Sequence, residues 1–332
     1  MQITATAWIV TIAVILALFA LDLALGALRP HAVGFREAAL WSVLYVAVAL
    51  AFGVVVGVGW GWGFGGQYFA GYLVEKSLSV DNLFVFVIIM TSFAVPDRHQ
   101  QKVLTFGILL ALVMRAVFIV IGAALLELFS VMFLLFGVLL IFTAVQLYRH
   151  RDQDPDVTDN GLVRLTRRFL PVTDRYDEGR LITRVDGRRV VTPLLVVLVA
   201  IGSTDLLFAL DSIPAVFGVT SEPYLVLAAN AFALLGLRAL FFLVSGLLDR
   251  LVYLSTGLAI VLLFIGGKLI LEWAHGLSAA VPEIPTLPSL GVIVLVLAVT
   301  TVASLAKVRR DPNARAHAGS LRGRTEAPHR DA

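Results

Sequence analysis

Nine apolar runs recur along this chain, each close to the roughly 20 residues that a helix rising about 1.5 Å per residue needs to cross a hydrocarbon core of about 30 Å. They extend roughly from Trp8 to Ala27, Ala39 to Gly59, Phe69 to Phe93, Val103 to Leu126, Phe129 to Leu147, Val191 to Val219, Tyr224 to Leu247, Leu251 to Trp273 and Leu287 to Ala306. Among 332 residues, 59% are hydrophobic and 15% charged, whereas a soluble domain carries about 25% charged residues. The sequence therefore predicts an all-α polytopic membrane protein whose main partner is the lipid bilayer. A net charge of +3 gives no footprint for nucleic acid, and the absence of Cys excludes disulfides and thiolate metal sites.

The distribution of basic residues tests the count. With the N-terminus outside, every second connection faces the cytoplasm. Those connections and the C-terminal tail then hold 22 of the 26 Lys and Arg, including ten Arg between Arg149 and Arg189. Four more (Lys76, Arg115, Arg238 and Lys268) lie within spans, and none falls outside. This satisfies the positive-inside rule and predicts a multi-pass protein of the inner or plasma membrane with its C-terminus cytoplasmic. Met1 to Ala7 has no Lys or Arg, so the first run reads as an uncleaved span rather than a signal peptide.

The chain divides into spans one to five (residues 1–147), a cytoplasmic loop (148–190), spans six to nine (191–306) and a basic tail (307–332) expected to be disordered. Within the loop, residues 162–170 form a candidate interfacial helix. Leu181 to Val191 reads as a hairpin around Asp186-Gly187, a common type I′ turn.

The informative residues are the charges inside the apolar runs. Span three contains Glu75-Lys76-Ser77-Leu78-Ser79-Val80-Asp81-Asn82, and span six contains Ser203-Thr204-Asp205 followed by Asp211-Ser212-Ile213-Pro214. Each carries two carboxylates six residues apart, the second followed by a small polar residue. An ionised Asp at mid-bilayer costs about 2.5–3.5 kcal/mol, so four acids cost on the order of 10 kcal/mol before any partner is counted, and such residues default to function.

These stretches also read as halves of a repeat. The pattern L-x-x-R-A-x-F occurs at Leu112 to Phe118 and again at Leu235 to Phe241. Because span three runs inward and span six outward, the three-helix repeats (68–147, spans three to five, and 191–273, spans six to eight) are inverted. That is a common secondary-transporter architecture with a site near the midplane.

On a regular helix Glu75, Ser79 and Asn82 share one face, as do Asp205 and Ser212, whereas a spacing of six places Asp81 and Asp211 about 120° away. For those two to join one cluster, the helices must break or sit between two partners. Pro214 supplies a cause for a break, because it cannot bond the Leu210 carbonyl. All six His lie in connections or the tail. The candidate ligands Glu75, Asp81, Asn82, Asp205, Asp211 and Ser212 are all oxygen donors, which suit Mn²⁺, Mg²⁺ or Ca²⁺. Arg115, Arg238 and Lys268 are candidate charge-compensating residues, and Asp22 is read as structural.

E-K-S-L-S-V-D-N-L-F-V-F at Glu75 to Phe86, T-P-L at Thr192 to Leu194, S-T-D-L-L-F-A-L-D-S-I-P-A-V-F at Ser203 to Phe217 and A-L-D-L at Ala20 to Leu23 resemble the signature motifs of the TerC/Alx family of integral membrane proteins. The likeness covers residues 5 to 310. It implies a multi-pass membrane protein of a family named for tellurium resistance and, in its Alx branch, associated with Mn²⁺ export. Four carboxylates would repel a tellurium oxyanion, so the residues favour the cation.

The bland alternative for the acids is structural pairing: Asp81 and Asp211 with Arg115 and Arg238, or Glu75 with Lys76. Three functions follow. A divalent-metal exporter explains the acids, the repeat and the oxygen ligands together, with the metal as substrate, no permanently bound cofactor and protons as counter-ion. Glu75 would stand toward the outer mouth and Asp205 toward the inner one. An intramembrane aspartyl protease would need Tyr-Asp and Gly-x-Gly-Asp motifs that are missing from these spans, so no enzymatic activity is expected. A scaffold of a tellurium or metal stress complex would need no ion path and would tolerate Asp81→Ala.

Overall fold

The computed structural model describes residues 3–28, 35–151, 166, 171–173, 177, 180–185, 188–244, 251–278, 281–282 and 284–311. Among these are ten helices: α1 (Ala5–Leu28), α2 (Phe35–Trp60), α3 (Trp62–Ser92), α4 (Asp97–Leu128), α5 (Val131–Arg149), α6 (Pro193–Phe217), α7 (Pro223–Leu234), α8 (Leu237–Val244), α9 (Leu254–Leu277) and α10 (Thr286–Arg310). The side chain of Asp81 in α3, the candidate helix at 162–170 apart from Thr166, the Asp186-Gly187 turn and residues 312–332 lie outside the described set.

Seven of these helices (α1, α2, α4, α5, α6, α9 and α10) are long and apolar enough to cross a membrane. The chain is thus a mostly helical, polytopic membrane protein. Two expected spans differ from the rest for identifiable reasons. Helix α3 has 31 residues, but Glu75, Lys76 and Asp81 interrupt its apolar sequence. The seventh run is not one helix: α7 has 12 residues and α8 has 8, separated at Leu235-Gly236. Gly236 takes φ +75°, and a Cβ there would lie 2.6 Å from the Tyr45 ring. The left-handed turn breaks the helix, and only Gly adopts it without strain.

Pro214, by contrast, breaks nothing. Helix α6 continues through it to Phe217, because neighbouring helices tolerate one missing N–H in a membrane span. Helix α10 runs through Lys307, Arg309 and Arg310 in its last turn, reaching into the segment expected as tail. Cations there favour the negative end of the helix dipole.

Helices α3, α6 and α7 form the centre. Helix α3 packs on both α6 and α7; α4 packs on α6 and α7; α5 packs along α9; α6 touches α5, and α9 touches α3. Around them α2 packs on α3 and α8, and α10 on α3 and α9. The α5–α9 crossing is close: a Cβ on Gly137 would sit 2.7 Å from the Gly266 carbonyl oxygen, and one on Gly266 2.8 Å from that of Gly137. Small residues let membrane helices approach to backbone contact. Tyr68, Leu83, Phe86, Ile201, Leu225 and Phe232 fill the centre, fully buried, whereas Leu40, Val58, Val120 and Val302 are exposed on the outer helices, where lipid would cover them.

Strands β1 (Ile182–Val185) and β2 (Arg188–Val191) pair antiparallel, with Ile182 opposite Val191. The Thr192 hydroxyl donates to the Arg180 carbonyl at 2.6 Å. This ties the hairpin to the start of α6, where Pro193 takes the first helical position, at which a missing N–H costs nothing.

Candidate functional site

Helical spacing places Glu75, Ser79 and Asn82 on one face of α3, and all three are buried. Opposite them α6 presents Asp205 and Ser212, seven residues apart and equally enclosed. The contacts between the two helices fix their sense. Gly71 faces Val216, Glu75 shares a partner with Ser212, and Asn82 shares one with Asp205. As the number rises on α3 it falls on α6, so the helices run antiparallel.

The shared partner is Arg115 on α4, the largest side chain with no exposed surface among the described residues. Its Nη1 forms an ion pair with Glu75 Oε1 and donates to Ser212 Oγ at 3.3 Å. Its Nη2 donates to Asp205 Oδ1 at 3.3 Å and, with the Asn82 amide oriented so that both its atoms are satisfied, to the Asn82 side-chain oxygen at 2.8 Å, the Asn82 nitrogen then donating to the Leu78 carbonyl at 3.0 Å. Each Nη therefore holds one acid from one helix and one small polar group from the other. The guanidinium fork, with donors pointing both ways, suits that task as an ammonium would not.

Two carboxylates against one guanidinium leave a formal charge of −1. They also leave oxygens over: Glu75 Oε2, Asp205 Oδ2 and Ser79 Oγ are buried and accept or donate no hydrogen bond. Buried polar atoms without partners are rare and need an explanation. Here two of them, Glu75 Oε2 and Asp205 Oδ2, are hard oxygen donors of the acids that pair with Arg115.

Asp211 lies outside this cluster. It is nearly buried on α6 and accepts a hydrogen bond from the Thr143 hydroxyl of α5 at 2.8 Å. Helix α6 thus sits between two partners, α4 on the Asp205 and Ser212 face and α5 on the Asp211 face, and needs no break. Among the described residues, no three His, Asp or Glu side chains come close enough to hold a metal. Arg115 fills the space between Glu75 and Asp205.

The other basic residues have different places. Arg238 is not part of the Glu75–Asp205 cluster; its Nη2 pairs with Asp22 Oδ1 at 3.1 Å, and the Tyr45 hydroxyl donates to the same oxygen at 3.0 Å. The reason is the break at Gly236, which puts Arg238 on α8, facing α1 and α2 rather than the centre. Lys268 is buried in α9. Lys76 is not paired with Glu75: its Nζ donates to the Ala233 carbonyl at 3.0 Å, at the C-terminal end of α7 where carbonyls lack helical partners. Thr143 was not legible as a site residue, since a lone hydroxyl in an apolar helix is more often only helix glue.

The family model described as the integral membrane protein TerC family matches residues 60–312. An uncharacterized membrane protein of Mycobacterium tuberculosis, Rv2723, is 47% identical over 272 residues, covering 81% of this chain and 68% of the relative. A thylakoid membrane protein of Arabidopsis thaliana, TERC, is 47% identical over 207 residues, 62% of this chain and 54% of the relative. Alx of Escherichia coli, named as a candidate membrane-bound redox modulator, is 36% identical over 277 residues, 81% of this chain and 86% of the relative. No solved structure matches the chain.

Proposed function

This chain belongs to the TerC family of integral membrane proteins, and from that premise we propose that it exports a hard divalent cation, Mn²⁺ first among them, through the cluster of Glu75 and Asp205. One observation carries the reading: two acids on antiparallel helices at the protein's centre, each with a buried oxygen that bonds to nothing. Carboxylate, amide and hydroxyl oxygens make up the donor set, with no imidazole or thiolate, and such sets prefer Mn²⁺, Mg²⁺ or Ca²⁺. Asp81 and Asp211 are the further acids along the same two helices and complete the path in this proposal.

The transporter architecture belongs to the same proposal: nine crossings, with α3 as one and α7 with α8 as another, and two inverted repeats. Glu75, Asp81 and Asn82 recur as Asp205, Asp211 and Ser212 at one constant offset of 130 residues. Exchanging the halves pairs α3 with α6, α4 with α7 and α8, and α5 with α9. The packing keeps its pattern under that exchange: α3 on α7 matches α6 on α4, α5 on α6 matches α9 on α3, and α5 meets α9 directly. The two Nη groups of Arg115 likewise hold equivalent sets. With the N-terminus outside, Glu75 and Ser212 lie toward the outer side and Asn82 and Asp205 toward the cytoplasm. Protons are the proposed counter-ion of the exchange.

The redox description of the Escherichia coli relative finds no thiol chemistry to act through in this chain, which has no Cys. The test is the Mn²⁺ content of cells grown in graded Mn²⁺, with the wild-type gene, without it, and with Glu75→Gln or Asp205→Asn. Lower Mn²⁺ with the wild type alone supports export. Equal content in all four sinks the reading.

A further inference from the structure

The same cluster shows how a cation of one valence could be chosen over another. Arg115 touches Glu75, Asn82, Asp205 and Ser212, four of the groups that the proposed function assigns to the metal. A guanidinium and a metal ion cannot occupy that space together. We propose that Arg115 is a tethered competitor cation, which fills the empty site and must withdraw before a divalent ion binds, and thereby sets the selectivity for divalent over monovalent cations. This rests on the metal-transport reading and adds a residue role to it.

The argument is one of charge and concentration. Glu75 and Asp205 carry two negative charges, and Arg115 returns one. A monovalent cation that displaced the guanidinium would leave the site as it found it, at −1, while competing with a cation tethered at high effective concentration. A divalent cation doing so brings the pair of acids to neutrality. In the low-dielectric interior that difference is large. Selection of one partner by penalising the other is the general route to specificity.

Two details fit exchange rather than a permanent structural pair. Each acid gives the guanidinium one oxygen and keeps the other, Glu75 Oε2 or Asp205 Oδ2, without a hydrogen-bond partner. The Arg115 Nε is also buried and unbonded. An ion pair built only for stability would satisfy those atoms, since a half-satisfied buried charge network costs stability. Small polar groups, Asn82 and Ser212, help to hold the arginine, and neither resists its departure with a full charge.

Occupancy by a competitor lowers apparent affinity by the fraction of sites left open. Removing it should therefore raise affinity, where removing a ligand would lower it. The experiment measures Mn²⁺ binding, with and without excess Na⁺, to purified full-length protein in detergent: wild type, Arg115→Gln and Arg115→Lys. We expect Arg115→Gln to bind Mn²⁺ about tenfold or more tightly than wild type, and Na⁺ to compete in the variant but not in the wild type. Arg115→Lys should fall between them, because an ammonium cannot bridge both acids. If Arg115→Gln does not fold, the Lys variant decides by the same ordering. Equal or weaker Mn²⁺ binding in the folded variants, with wild type binding Mn²⁺, overturns the competitor role and leaves the transport reading standing. No Mn²⁺ binding by wild type or either variant overturns the transport reading, and this inference with it.

Discussion

Arg238 on α8 donates from Nη2 to Asp22 Oδ1 on α1 at 3.1 Å, although 216 residues separate them. The Tyr45 hydroxyl of α2 donates to the same carboxylate oxygen, so one acid fastens the short helix beyond the Gly236 turn to two others. Both members of the pair are only slightly exposed, at 11% and 13%. Removing one partner should cost more than an exposed pair would. Arg238→Met is expected to destabilise by about 1.5–3 kcal/mol, the range for hydrogen bonds to charged groups. Asp22→Asn, which keeps an oxygen for Tyr45, should cost less. Thermal unfolding of the purified variants checks the order.

The Gly236 turn is a backbone requirement. Gly236→Ala adds a Cβ 2.6 Å from the Tyr45 ring at φ +75°, and the left-handed conformation alone costs about 1–2 kcal/mol for an L-residue. Combining it with Tyr45→Ala should relieve the collision with the ring but leaves a Cβ contact at 3.0 Å and the conformational cost. A double variant as stable as Tyr45→Ala alone would contradict this account.

At the α5–α9 crossing, Gly137→Leu must push two backbones apart, because the new Cβ would start 2.7 Å from the Gly266 carbonyl oxygen. Overpacking of this kind costs about 1–3 kcal/mol or more. Gly267→Ala in α9, whose new Cβ meets nothing within 4 Å, is the control, expected to unfold at the wild-type temperature.

Much of this was legible in the sequence. The face shared by Glu75, Ser79 and Asn82, and that shared by Asp205 and Ser212, followed from spacing alone, because α3 and α6 are regular helices. The partners were not. Arg115 and Arg238 sit in the same local motif, yet one lies between two acids at the centre and the other reaches Asp22. What separates them is the break at Gly236, whose neighbours Leu235 and Leu237 read as one uninterrupted apolar helix. Pro214 misled in the opposite direction: a residue that breaks helices in water is accommodated inside α6 by its neighbours. Thr143 carried no pattern at all, and only the packing of α5 against α6 puts its hydroxyl on Asp211.

Thr143→Val tests that last contact. The substitution keeps the shape and removes the donor, leaving Asp211 Oδ1 without the bond it has at 2.8 Å. Loss of about 1–3 kcal/mol of stability is expected, together with reduced Mn²⁺ tolerance if Asp211 lies on the ion path. Thr143→Ser, which keeps the hydroxyl, should restore both readouts.

The most direct test of the transport account is Mn²⁺ flux in vesicles reconstituted with the purified full-length protein, with and without an imposed pH gradient. The account predicts Mn²⁺ movement with wild type that the gradient accelerates, and none with Asp81→Asn or Asp211→Asn inserted in equal amount. Wild-type vesicles no more permeable to Mn²⁺ than empty ones, or unchanged flux in both variants, would contradict it.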